Sequence, residues 1–296
     1  MRTEQQMYDI ILKTAESDPR ILAVYMNGSR VNPNVPKDIF QDYDIVYVVA
    51  DTKPFYEDET WIDHFGERLY MQMPEKMDAL RGREFHFDEI YGWLMQFADG
   101  NRIDLHVVSP EYAQKDILSD KLCRILLDKE GILPAIPDAT DEDYHVKKPS
   151  HEDFWCDCNN FWWCMNNVAK GLWRREIPYV MDMLNMIIRP HLVNLLSWEI
   201  GIRTNFACSV GKSGKYMYRY LERCDWEAFL KTYPDSDTEH IWQSVFVMCD
   251  LFEKTALQVA DQLGYIYQRE EAAASRYFLE HVKKLPEDAE EIFVSE

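Results

Sequence analysis

The chain has 296 residues, 47% of them hydrophobic and 14% aromatic, enough for two domains with substantial buried cores. Its 52 acids outnumber its 32 bases, giving a formal charge of −20, so it repels nucleic-acid backbones and anionic membranes and attracts cations. Seven cysteines, an odd count, with no apolar run of membrane-spanning length and no export signal, point to reduced thiols in a cytoplasm rather than a disulfide framework.

In chain order, residues 1 to about 17 read as an amphipathic helix and 21–27, "RILAVYM" with its flanks, as a buried strand. "NGSR" follows, then a Pro- and Asn-rich loop. "FQDYDIVYVVAD", 40–51, is almost wholly apolar after two aspartates and reads as a strand buried on both faces. "ETWIDHFGERL" reads as a helix. "EIYGWLMQFADGNRIDLHVVS" reads as a β-hairpin about the turn Asp99-Gly100-Asn101, and "PEYAQKDILSD" starts another helix. The polar stretch 133–150, with its prolines, reads as a linker or domain boundary. Beyond it, helical periodicity dominates over 151–173, 176–200, 211–223, 238–263 and 271–284, and 287–296 reads as a frayed acidic tail. The expected architecture is α+β: a mixed-sheet domain over 1–148, then an all-helical domain over 149–296. Cys156, Cys158 and Cys164 lack the paired spacing of a structural zinc site.

Alternate residues of a strand project to one face, so Asp42 and Asp44 stand side by side. Adjacent carboxylates repel and burial makes both harder to ionise, so something positive belongs between them. Asp104, in "RIDLHVV" on the second hairpin strand, repeats the context of Asp44. Three converging carboxylates suit Mg²⁺, which takes few protein ligands and completes its octahedron with water and phosphate. Upstream, Gly28 ends a strand and Ser29 is placed to open a helix; the glycine lets the backbone approach a phosphate closely, and the free N–H groups of a helix start bind anions. Gly28, Ser29 and Arg30 are the candidate nucleotide contacts there.

The ordered set of strand, Gly28-Ser29, loop, Asp42-x-Asp44 on a strand and Asp104 on a later strand resembles the nucleotidyltransferases that share the DNA polymerase β palm. "FQDYDI", "DYHVKKP", "CNNFWW", "RPHLVNLLSWEIGIRT", "SVGKSGKYMYRYL" and "TYPDSDTEHIWQSVF" resemble the aminoglycoside (streptomycin) 6-adenylyltransferase family over roughly residues 1 to 270. The resemblance implies a polymerase-β-like first domain, ATP as co-substrate, Mg²⁺ on Asp42, Asp44 and Asp104, and a cationic aminoglycoside as acceptor. The charge of −20, in turn, argues against a nucleic-acid or membrane partner. Rival readings keep the chemistry with another small-molecule or protein hydroxyl, or keep nucleotide binding without catalysis.

Residues 200–221 contain no acid but hold Arg203, Lys212, Lys215 and Arg219. On a helix, Lys212, Lys215 and Arg219 share a face. They suit a polyphosphate, and the resemblance likewise implies a lysine from the helical domain on ATP; surface ion pairing is the competing reading. In "IPYVMDMLNMIIRP" a single acid, Asp182, stands among apolar residues and needs a partner, either an arginine of the same domain or a cationic group of the acceptor. Trp155, Trp162, Trp163 and Trp173 offer stacking walls or core, with Trp173 the candidate acceptor contact.

Overall fold

A computed structural model describes residues 1–293. The chain divides into two compact units, Met1–Asp143 and Tyr144–Glu296, against the expected division at 148/149. The first opens with α1 (Glu4–Ser17), started by a reciprocal capping box between Thr3 and Gln6. Then come β1 (Ile21–Asn27), a 3₁₀ turn Ser29–Val31 and β2 (Tyr43–Val49). After α2 (Lys53–Glu57) and a 3₁₀ turn Trp61–Phe65 come β3 (Arg68–Gln72), α3 (Pro74–Leu80), β4 (Ile90–Phe97), β5 (Arg102–Val108), α4 (Pro110–Asp116) and β6 (Cys123–Asp128).

The six strands form one mixed sheet in the order β3-β4-β5-β2-β1-β6. Only β2–β5 is parallel; the other pairings are antiparallel. β2 explains its apolar run: Tyr43, Ile45, Tyr47 and Val49 pack into a cluster on one face, while Val46 and Val48 pack into a second cluster on the other. The hairpin β4–β5 and its Asp99-Gly100-Asn101 turn stand as expected.

The expected helix over "ETWIDHFGERL" does not form. One 3₁₀ turn ends at Gly66, whose φ of 124° no helix accommodates, and the chain continues into β3. β3 and β6, the two edge strands, lie outside the sequence expectations.

In the second unit the helices are α5 (His151–Trp173), α6 (Ile177–Asp182), α7 (Arg189–Arg203), α8 (Arg223–Lys231), α9 (Thr238–Leu263) and α10 (Arg269–Lys284), with a π-helical stretch Met183–Ile188 between α6 and α7. α5 begins at a capping box of Ser150 and Asp153, and α9 ends at Gly264 in the left-handed conformation. Their apolar stripes share one core that includes Phe161, Leu192, Val245 and Phe252, with Phe161 and Phe252 stacked at 3.6 Å.

The expected helix over 211–223 is also absent. Gly211, Ser213 and Gly214 all have φ between 56° and 75°, so the segment folds as two 3₁₀ turns, Lys212–Gly214 and Met217–Arg219. The tail is not frayed where it is described: Trp173 Nε1 donates to Pro286 O at 3.1 Å, and Phe293 stacks on His281 at 4.6 Å. The remainder of the tail lies outside the described residues.

Candidate active site

Strand register builds the site. Asn27 pairs with Asp44 across β1–β2, and Asp44 pairs with Asp104 across β2–β5. Directly paired residues point to the same face of a sheet, so Asn27, Asp44 and Asp104 form one transverse row. Asp42, one residue before β2, joins it by strand alternation. One carboxylate oxygen from each of Asp42, Asp44 and Asp104 lies within 4.8 Å of the other two.

The cluster is short of positive charge. Burial, then the neighbouring Asp42 and Asp104 carboxylates, pushes the Asp44 carboxyl up to about 7. Arg102 and Arg30 oppose the rise, and Arg102 pairs directly with the acids: its Nε and Nη2 donate to the two Asp104 oxygens at 2.7 and 2.6 Å, and Nε lies 3.8 Å from Asp42. Sequence reasoning missed Arg102, although its place two residues before Asp104 on one strand puts it on the same face. The sequence places Asn27, directly before Gly28, near the site, where an acid is expected in the family; its Oδ1 is buried with no hydrogen-bond partner among the described residues. Only the register of two sequence-distant strands reveals that Asn27 stands beside Asp44.

Three hard carboxylate oxygens, an elevated carboxyl and a guanidinium standing where a cation belongs fit a hexacoordinate oxygen-seeking ion such as Mg²⁺. The residues present therefore match the metal that the motif implies.

Gly28 has φ 78°. A Cβ there would lie 2.1 Å from Asp44 Oδ2, so glycine is required both by the backbone and by the carboxylate against it. Ser29 opens the 3₁₀ turn, and its carbonyl accepts from Gln41 Nε2 at 3.2 Å. Arg30 is occupied: it donates to the carbonyls of Asp42 and Gln41 at 3.0 and 2.5 Å and lies 3.7 Å from the Tyr43 ring centre. Its guanidinium braces the loop that delivers Asp42.

In the helical unit, Lys212 and Lys215 are exposed, on a 3₁₀ turn instead of a helix face, and Lys215 Nζ lies 5.0 Å above the Tyr216 ring. Asp182 is exposed at the end of α6. The expected arginine for it is not Arg189, which is buried and donates to Thr232 O at 2.7 Å and Asn185 Oδ1 at 3.3 Å, with Tyr233 stacked at 3.6 Å. Trp173 is partly buried against the helical core; Trp162 is buried, and Trp155 and Trp163 are exposed.

Comparison with known proteins identifies the family. The family model described as streptomycin adenylyltransferase matches residues 1–282. An aminoglycoside 6-adenylyltransferase of Campylobacter jejuni is 39% identical over 284 residues, covering 96% of this chain and 97% of that protein. One of Bacillus subtilis (strain 168) is 36% identical over 278 residues, covering 94% and 97%. The crystal structure of an aminoglycoside 6-adenyltransferase from Bacillus subtilis aligns at 32% identity with a TM-score of 0.47, covering 96% of this chain and all of that one. With a family match over almost its whole length and a row of three aspartates built by its sheet register, this chain belongs to the streptomycin adenylyltransferase family.

Proposed function

We propose that the protein transfers AMP from ATP to a hydroxyl of an aminoglycoside, streptomycin, releasing pyrophosphate and so conferring resistance to the antibiotic. The observation that carries the reading is the clustering of Asp42, Asp44 and Asp104. The named activity of the relatives supports it, as does the net charge of −20, which favours a cationic acceptor.

Asp42, Asp44 and Asp104 would hold Mg²⁺, which when bound neutralises phosphate charge and eases ionisation of a hydroxyl. Asp104 orients the acceptor hydroxyl and takes its proton. The hydroxyl oxygen bonds to the α-phosphorus as the bond to the pyrophosphate oxygen breaks in line, and pyrophosphate carries the charge away. Gly28 and Ser29 offer the backbone approach for the triphosphate, with Lys212 and Lys215 as its cationic contacts. Arg30 serves indirectly by holding the Asp42 loop. Asp182 and Trp173 are the proposed acceptor contacts. Seven free thiols suit a cytoplasmic setting, where ATP is available, and no helix among the described residues is long and apolar enough to cross a membrane.

Mass spectrometry after incubation with ATP, Mg²⁺ and streptomycin tests the proposal. An added AMP on streptomycin is expected, with one pyrophosphate per product. Adenylylation of a different aminoglycoside but not of streptomycin would move the acceptor, and ATP binding without transfer to any hydroxyl would leave a nucleotide-binding relative.

A further inference from the structure

Arg102 stands on β5 two residues before Asp104, on the same face of the sheet. Its guanidinium forms a two-pronged pair with Asp104, at 2.7 and 2.6 Å, that engages both carboxylate oxygens, and it reaches Asp42 at 3.8 Å. Two of the three candidate metal ligands therefore share one organic cation. The two partners differ in freedom. The Asp104 side chain is 13% exposed, while Arg102 is 43% exposed, so the guanidinium has solvent to swing into and the carboxylate is held by its strand. A guanidinium and a divalent ion beside the same carboxylate repel each other, and that repulsion is strongest where burial lowers the dielectric.

We propose that Arg102 is a resident stand-in cation: it neutralises Asp104 and Asp42 while the metal is absent, and the arriving divalent ion displaces it. This inference rests on the three-carboxylate reading of the site and extends it to a residue with a role of its own. Arg102 keeps the acids from repelling one another apart in the empty state. Once displaced, it remains tethered beside the site as a free, planar, bidentate donor, the geometry that matches phosphate oxygens. The displaced guanidinium takes an oxygen of the nucleotide, so one residue serves the empty and the loaded site in turn.

The sign of one measurement separates this from a fixed supporting role. A prop that holds Asp104 in its ligating pose strengthens metal binding, so its removal weakens it; a competitor weakens metal binding, so its removal strengthens it. The experiment is Mn²⁺ titration followed by electron paramagnetic resonance, without nucleotide, on the parent, Arg102→Gln, Arg102→Lys and Asp104→Asn, with melting in metal-free buffer and in saturating Mg²⁺. Arg102→Gln is expected to bind Mn²⁺ roughly fivefold more tightly, the upper end of what an exposed ion pair contributes. It should melt lower than the parent without metal and close to it with metal. Arg102→Lys, which keeps the charge without the fork, should fall between. In turnover, Arg102→Gln should raise the KM for ATP despite its tighter metal. Unchanged or weaker Mn²⁺ affinity in Arg102→Gln, with Asp104→Asn weak as the site requires, would overturn the stand-in role alone. A parent that binds no Mn²⁺, or an Asp104→Asn that binds it like the parent, would overturn the three-carboxylate site and this inference with it.

Discussion

Asp44 carries the largest electrostatic load of any single residue in the site. Its carboxyl is raised to about 7 by burial and by its two acidic neighbours, against an ordinary value near 4 in the unfolded chain. A carboxyl with a raised folded value binds more protons folded than unfolded, so its contribution is fully present below pH about 4 and is lost as pH rises through about 7. A rise of that size corresponds to at most about 4 kcal/mol. Metal-free protein is therefore expected to lose thermal stability from pH 5 to pH 8, and Asp44→Asn to flatten that decline and to melt above the parent at pH 8. Melting curves across this range check it, and a parent with no such decline would mean that the acids are already compensated. Gly28→Ala places a Cβ 2.1 Å from Asp44 Oδ2 at a φ of 78°. A loss of more than about 1 kcal/mol is expected, together with loss of Mn²⁺ binding, since the intruding methyl moves a ligand; a stable variant with parental Mn²⁺ affinity would show that the strand end relaxes freely. Asp104→Asn should lower turnover about 10²–10⁴-fold, the size of a lost general base. It should keep much of the binding of ATP·Mg²⁺, which Asp42→Asn and Asp44→Asn should lose; calorimetric titration beside steady-state rates separates the two classes.

At the scale of elements, periodicity and position disagree most over 211–223. Lys212, Lys215 and Arg219 have helical spacing, yet three left-handed residues turn the chain too sharply for a helix. Ser213 carries a steric penalty there that glycine does not, so its conformation is held by the surrounding structure and not by its own preference. The lysines are thus displayed by a compact turn, and Lys212→Ala is expected to raise the KM for ATP without changing the melting temperature or the affinity for streptomycin; equal ATP kinetics in mutant and parent would remove it from the site. Asp182 sits where α6 passes into a π-helical stretch, a register change that is often found at functional sites. Its exposure answers the question raised by its apolar neighbours, because the side chain needs no internal partner. Asp182→Asn should leave stability within about 0.5 kcal/mol and raise the KM for streptomycin more than it lowers kcat. Collapse of the fold instead would reveal a structural role.

At the scale of the whole molecule, each unit has its own core: the sheet with clusters on both faces, and the helices with a single continuous cluster. The carboxylates all belong to the first unit. Ion binding stabilises only what binds the ion, so calorimetry in rising Mg²⁺ should resolve two transitions and move the one that belongs to the sheet unit. Arg189→Leu, which strips the buried guanidinium from Thr232 and Asn185, should lower the other and leave the Mg²⁺ shift intact. A single transition that Mg²⁺ and Arg189→Leu move together would mean that the two cores unfold as one.

The amino-acid sequence by itself determined the elements whose signals are local. α5 and α9 were legible from their apolar periodicity, β2 from its apolar run, and the β4–β5 hairpin from Asp-Gly-Asn between two runs. It also determined that three aspartates belong together, because strand alternation and a repeated context are properties of short segments. β3 and β6 escaped because edge strands bury little and take their form from the neighbour they pair with. Tertiary structure alone decided that Asn27 joins the row, since its partner lies 17 positions away and is chosen by strand register. It decided that Arg30 braces a loop while Arg102 supplies the positive charge, because both are equally cationic in the sequence and only pairing distances tell them apart. It decided too that Asp182 faces water, because burial on a helix depends on which side its neighbours cover, and no run of apolar letters records that.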